Sequence, residues 1–313
     1  MDNDLHVIFG TGPVGLAIME ELAHAGRQVR MVNRSGHADL PAGVELVSGD
    51  AADPGFATRC AAGASVVYQG LNPPYHSWPE LFPSLQTSVL QAARASGAVL
   101  VSMENLYMYG STSGRPMTEE TPFAPNTRKG AVREAMAREL AAAHESGDLR
   151  TTSIRASDFY GPRVLQSALG HRVFARMLNG KSAQVLGNPD LLHSYTYITD
   201  IGRAMALAGR ESSAWGRAWH VPSAETVSTS EIVAMIGEIA GVPARARITP
   251  KLVLRILGRF DPDVRELLEM LYEFEEPFVS NGQALQRAFG FQPTPVRVAL
   301  GTTVDWYRNH FAR

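Results

Sequence analysis

An α/β fold built on a doubly wound parallel sheet, followed by a smaller and mostly helical C-terminal part, is predicted by three observations. Short apolar runs alternate with alanine-rich amphipathic stretches through the first half of the chain. Those runs are apolar nearly throughout, and the first of them leads through glycines directly into a helical stretch. Strands covered by helices on both faces read as continuous apolar runs, whereas strands with one wet face alternate.

Taken in order, strands are expected at residues 5–9, 28–32, 44–47, 65–69, 98–102 and 152–155, with helices at 16–25, 54–61, 79–95 and 129–144. Beyond Gly161 the pattern loosens into a helix at 171–178 and shorter strands at 183–186, 194–198 and 217–221. Helical periodicity then dominates at 230–240, 251–257, 262–274, 281–289 and 295–310. At 313 residues the chain exceeds the usual size of one core. A cofactor domain over 1–160 and a mainly substrate-binding part over 161–313 are expected, with the chain crossing back to the sheet near 190–225.

The first strand is followed by Gly10-Thr11-Gly12-Pro13-Val14-Gly15, which places strand, glycine-rich turn and helix in the order that a Rossmann dinucleotide site requires. The first glycine permits the tight turn, the second lets backbone approach a pyrophosphate, and the third lets helix and strand pack closely. The helix N-terminus then faces the phosphate charge. A turn with no ligand is the plainer alternative, but the second strand completes a βαβ unit of the right length. Where an NAD-binding chain carries an acid for the ribose hydroxyls, this one has Asn33-Arg34-Ser35. An arginine there pairs with a 2′-phosphate, so NADP is expected ahead of NAD.

Hydrophobic residues make up 45% of the chain, enough for a sizeable core, and a net charge of −2 with dispersed Lys and Arg offers no field for nucleic acid. Cys60 is the single cysteine, so no internal disulfide and no cysteine metal cluster can form. The start, Met1-Asp2-Asn3-Asp4, shows no leader, and no apolar run is long enough to span a bilayer. A cytoplasmic protein without membrane, nucleic-acid or metal partners is expected, with a homodimer through C-terminal helices as a guess by analogy.

Four further segments carry a family resemblance. They are Gly49-Asp50-Ala51-Ala52-Asp53, Ser102 to Tyr109-Gly110, Ser153 to Tyr160-Gly161-Pro162, and Tyr195 to Asp200-Ile201. Together with the glycine turn, they resemble an atypical branch of the extended short-chain dehydrogenase/reductase superfamily, of the NAD-dependent epimerase/dehydratase type. The resemblance implies adenine contacts at Asp50 and Ala51, cofactor contacts at Gly70, Leu71, Asn72, Ser157 and Lys129, and a substrate role for Tyr160.

The departures concern the catalytic set. The spaced glycines of the extended type would begin at Phe9, and here they begin at Gly10. Counting back from Tyr109-Gly110, the family's serine falls on Asn105, and its Tyr-x-x-x-Lys pair falls on Lys129 and Arg133. Asn105 can still hydrogen-bond a substrate carbonyl. Arg133 can hold a ribose but does not exchange protons near neutrality. That leaves Lys129 as candidate acid, one helical turn from a second cation on the same face. Two solvated charges on an alanine-rich helix are the alternative, although lysine occurs elsewhere only at Lys181 and Lys251.

Tyr107 is a second candidate beside Asn105. Tyr75 and Trp78, on a proline-rich loop, are candidates for an apolar substrate wall or for loop anchors. His193 is expected at the surface, with contact to substrate as the alternative. These residues point first to an NADP-dependent reductase of a carbonyl, imine or activated alkene in a small organic molecule. A sugar-nucleotide epimerase or dehydratase is the second reading, and a catalytically silent NADP(H)-binding sensor or scaffold the third.

Overall fold

The computed structural model describes residues 4–311, apart from the side chain of Asp263. The start at Met1-Asp2-Asn3 lies outside the described residues. Parallel strands β1 (Leu5–Phe9), β2 (Gln28–Asn33), β3 (Glu45–Ser48), β4 (Val66–Gln69), β5 (Val99–Glu104) and β6 (Thr151–Arg155) stand in the order β6-β5-β4-β1-β2-β3. A seventh strand, Ala218–His220, lies beside β6. Every residue of β4, β5 and β6 is buried, which is why these segments lack the alternation of a half-wet strand.

Helices α1 (Pro13–His24), α2 (Pro54–Ala61), α3 (Trp78–Ser96) and α4 (Arg128–Glu145) make the crossovers. Pro13 opens α1 at its first turn, where a missing N–H costs nothing. Asp53 caps α2 through the Gly55 amide at 2.9 Å, and Gly97 closes α3 in the left-handed conformation. Val7, Phe9, Val67, Val89, Leu100 and Leu140 belong to one core joining strands to helices. The strands' carboxyl ends therefore deliver the loops at 10–12, 70–75 and 105–107 to one edge of the sheet, the edge where such folds bind ligands.

The chain divides into two compact units. The first comprises residues 1–108, 128–155 and 201–219; the second comprises 109–127, 156–200 and 220–313. Residues 109–127 group with the second unit, and 201–219, inside the crossing expected near 190–225, group with the first.

Three elements in the later chain differ from expectation. The stretch at 194–198 is two short strands, Leu192–His193 and Thr196–Tyr197, and Ile198 already begins a helix running to Arg210. The helix expected at 171–178 starts as a π-turn, Gly170–Ala175. The one expected at 262–274 breaks after Glu269 into a 3₁₀ turn, Leu271–Phe274.

Candidate active site

The glycine turn is built by backbone crowding. Gly10 has φ of +108°, and a Cβ there would meet the Gly70 carbonyl at 2.9 Å; a Cβ on Gly15 would run into the Gly10 carbonyl. Gly12 is the opposite case, with nothing within 4 Å of a Cβ, so bare backbone faces open space where α1 presents its unbonded first-turn amides. Gly10 N–H donates to the Val32 carbonyl and Gly70 N–H to the Phe9 carbonyl, both at 2.9 Å, tying the turn to β2 and β4. Beside it Gln69, 1% exposed, leaves both side-chain polar atoms without a partner among the described residues. A cradle open at one glycine and sterically closed at two others suits a dinucleotide pyrophosphate.

At the end of β2, Asn33 turns inward on its own loop. Its amide donates to Thr11 Oγ1 at 2.9 Å and to the His37 carbonyl at 3.0 Å, and its oxygen accepts from the Gly36 amide at 2.8 Å. Ser35 Oγ likewise donates to the His37 carbonyl at 3.1 Å. Arg34 is exposed, and its guanidinium has no hydrogen bond or ion pair among the described residues. Asp50 is exposed with Oδ1 accepting from the Ala52 amide at 3.0 Å, while Ala51 is buried beneath it. Leu71 leans on the core, and Asn72 is exposed.

Six candidates from three separate stretches of chain meet in the first unit. Lys129, in the first turn of α4, is 1% exposed, and its Nζ stands 5.1 Å from the centre of the Tyr75 ring. The Tyr75 and Tyr107 hydroxyls are 2.6 Å apart. Trp78 is 2% exposed, stacks on Tyr107 and donates its indole N–H to the Pro73 carbonyl at 3.0 Å, so it anchors the loop as part of the core. Arg133 lies over Phe82 and Trp78, with guanidinium-to-ring distances of 4.8 and 5.6 Å. Its Nε donates to Asn105 Oδ1 at 3.2 Å and its Nη2 to the Met103 carbonyl at 3.0 Å.

Burial pushes the Arg133 guanidinium down from its ordinary value, and the nearby Glu104 carboxylate pulls it back. Asn105 Oδ1 also accepts from the Tyr107 amide at 3.2 Å, which leaves the side-chain NH₂ as the group able to donate to a ligand. Lys129 and Arg133 are thus buried, and the alternative of two solvated helix charges is overturned.

A neighbouring buried ion pair escaped the sequence reading. Glu104 ends β5, Arg155 ends β6 opposite it, and the Arg155 Nε donates to Glu104 Oε2 at 2.7 Å. Ser153 Oγ adds a bond of 3.2 Å to the other carboxylate oxygen. The available signal was a glutamate closing an otherwise uncharged buried strand.

The remaining candidates lie in the second unit. Ser157 is 3% exposed, its hydroxyl without a partner among the described residues. Tyr160 packs on Tyr197 and Phe174, and burial pushes its phenol far above the ordinary range. His193 departs from the expected surface position. It is 3% exposed, stacked against Tyr195 and Phe274, with Nε2 3.0 Å from Asp158 Oδ2. Short paired strands and an aromatic run, distant in sequence, enclose it.

Near it Glu273, 2% exposed, has an unpartnered Oε1, and burial reinforced by the Asp158 charge raises its pKa well above that of an ordinary carboxyl. The folded protein therefore holds a proton that the unfolded chain releases above pH ~4.3, so this group's stabilising contribution falls as pH rises from there toward the folded value. Urea titrations across that range are expected to show a flatter pH dependence for Glu273→Gln than for the wild type. Parallel curves would refute a neutral Glu273.

Fold and site together define a Rossmann-type dinucleotide-binding protein. Residues 7–221 match the NAD dependent epimerase/dehydratase family, and the chain belongs to that family. The chain is 25% identical over 226 residues to a dTDP-glucose 4,6-dehydratase of Streptomyces griseus, a match covering 72% of this chain and 63% of the relative. It is 26% identical over 277 residues to a UDP-glucose 4-epimerase of Corynebacterium glutamicum, covering 79% and 83%. A dTDP-4-dehydro-6-deoxy-D-allose reductase of Streptomyces bikiniensis is 26% identical over 161 residues, covering 50% and 43%. Among solved structures, the UDP-glucose 4-epimerase of Thermus thermophilus in complex with NAD superposes with a TM-score of 0.77 at 21% identity, covering 97% and 99% of the two chains. Among the described residues no helix is long and apolar enough to cross a membrane.

Proposed function

We propose that the protein is an NADP(H)-dependent reductase acting on a carbonyl of a small organic molecule. The observation carrying this reading is the chemistry of the buried cluster, in which Lys129, Arg133, Tyr75, Tyr107 and the Asn105 amide are all hydrogen-bond donors. The two carboxylates adjacent to them in sequence are committed elsewhere, Glu104 to Arg155 and Ser153 and Glu134 to Arg138. Donors stabilise oxygen that gains negative charge, as a carbonyl does on reduction.

Bound reduced nicotinamide supplies the hydride, and the chain supplies the rest. Arg133 holds the Asn105 oxygen, so the Asn105 NH₂ is left to orient the substrate carbonyl. Lys129, placed over the Tyr75 ring away from bulk water, gives the proton that completes the alcohol. The Tyr75–Tyr107 hydroxyl pair braces that wall of the site.

NADP preference rests on exposed Arg34 beside an Asn33 whose side chain is spent on its own loop. A charge-assisted pair of this type contributes ~1.5–3 kcal/mol. Arg34→Ala is expected to weaken NADPH binding by roughly ten- to a hundredfold and leave NADH binding nearly unchanged, as read by nucleotide fluorescence titration. Equal losses for both nucleotides would remove the 2′-phosphate role.

Net NADPH consumption on a carbonyl panel tests the reaction itself. The sugar-nucleotide epimerase or dehydratase reading, supported by two of the named relatives, requires instead an isomerised or dehydrated sugar nucleotide with no net change in cofactor. Tight NADPH binding without turnover on any substrate would leave a sensor.

A further inference from the structure

The second unit carries a surface that the proposed chemistry does not use. Residues 241–260 include Arg245, Arg247, Lys251, Arg255 and Arg259 and no acid, in a chain of net charge −2. The strand Ala246–Ile248 and the helix Lys251–Leu257 display most of this stretch. Leu254 alone turns inward from that helix, joining Leu186, Leu271 and Phe274 in a small core. Its apolar neighbours face outward: Leu252 is 66% exposed, Ile256 51% and Phe260 84%. Of nine exposed large apolar side chains among the described residues, six fall between Ile248 and Phe260, which makes this a patch rather than scatter. Lys251 is paired with Glu275 at 2.8 Å. The four arginines have no ion pair among the described residues.

We propose that this face docks peripherally on an anionic lipid bilayer. A twofold contact through this face would bring two copies of the same basic patch together, and like charges across an interface oppose association. The cations instead require an anionic partner. Protruding Phe260 and Leu252 are not matched to a pocket, and the interfacial zone of a bilayer takes up such side chains without one. Basic residues close to the surface add attraction that salt screens. The expectation of no membrane partner rested on the lack of a spanning segment, which a surface contact does not need.

Co-sedimentation of the full chain with vesicles of phosphatidylcholine, alone or mixed with phosphatidylglycerol, tests the proposal. Binding is expected only with phosphatidylglycerol present, and it should weaken as salt is raised. Arg255→Glu with Arg259→Glu is expected to lower vesicle affinity by about tenfold or more. Leu252→Ser with Phe260→Ser is expected to lower it on the same vesicles with the charges intact. NADPH binding and thermal melting should be unchanged in both double variants, showing that they fold. No sedimentation with the anionic vesicles at low salt, or equal sedimentation of wild type and both variants, would overturn the proposal. So would a dimer that Leu252→Ser with Phe260→Ser dissolves, because the face would then belong to a second copy.

Discussion

Lys129→Met is expected to lower kcat of NADPH-dependent carbonyl reduction by about 10²- to 10⁴-fold, the usual contribution of a positioned general acid. Methionine is similar in length and apolar, so it fills the 1%-exposed site without leaving a cavity, while it removes both the proton and the cation above the Tyr75 ring. NADPH affinity should change far less than kcat, since the glycine cradle and Arg34 stand apart from α4 in sequence and on other loops. Lys129→Arg should keep the charge and still lose turnover, because a guanidinium does not give up its proton near neutral pH. Rapid-mixing measurement of NADPH oxidation separates the chemical step from release. Wild-type kcat in Lys129→Met would pass the acid role to the Tyr75–Tyr107 pair.

The largest effect on stability is expected from Arg155→Met. Glu104 is 2% exposed and would be left charged beside β6 with only the 3.2 Å bond from Ser153. Removing one member of a buried pair costs about 3–5 kcal/mol, mostly because the other charge keeps its desolvation penalty. Replacing both, as Glu104→Leu with Arg155→Met, should cost less than Arg155→Met alone, since neither member of the pair is then left without its partner. Urea denaturation followed by far-UV circular dichroism reads the difference. A single variant within about 1 kcal/mol of wild type would mean that water reaches Glu104 and that the pair is not buried in solution.

Much of the first unit was legible because its signals are local. Strand β1 and the Gly10–Gly15 turn follow from an apolar run and the sterics of glycine, whereas α1 begins at Pro13, ahead of the helix expected at 16–25, because a proline is tolerated in the first helical turn. Helix α2 matches its expected limits because Asp53 and Pro54 are a start signal written into adjacent residues. The helix Ile198–Arg210 was missed because the strand-like Tyr195-Thr196-Tyr197 runs into it without a break. Gly202 and Gly209 also lower its intrinsic propensity.

The sequence named six residues that the fold brings together, but not their state. Asn105, Lys129 and Arg133 were selected by position, and Tyr75, Trp78 and Tyr107 as neighbours in one loop or strand end. Nothing in the sequence distinguished solvated charges at 129 and 133 from buried ones, because a spacing of four puts them on one helix face in either case. For His193 the same ambiguity resolved against the surface, since its partners Asp158 and Phe274 are remote in sequence.

The sequence by itself determined a strand–turn–helix of the Rossmann type, the order of strands and helices in the first half, and the placing of Lys129 and Arg133 on one helix face. These depend on backbone sterics and periodicity, which act over a few residues. Only the tertiary structure decided that Lys129 lies against Tyr75, that Tyr75 meets Tyr107 across 32 positions, and that Glu104 is held by Arg155 across 51. Burial and charge pairing arise when distant segments exclude water together, and no local pattern records which segments those will be.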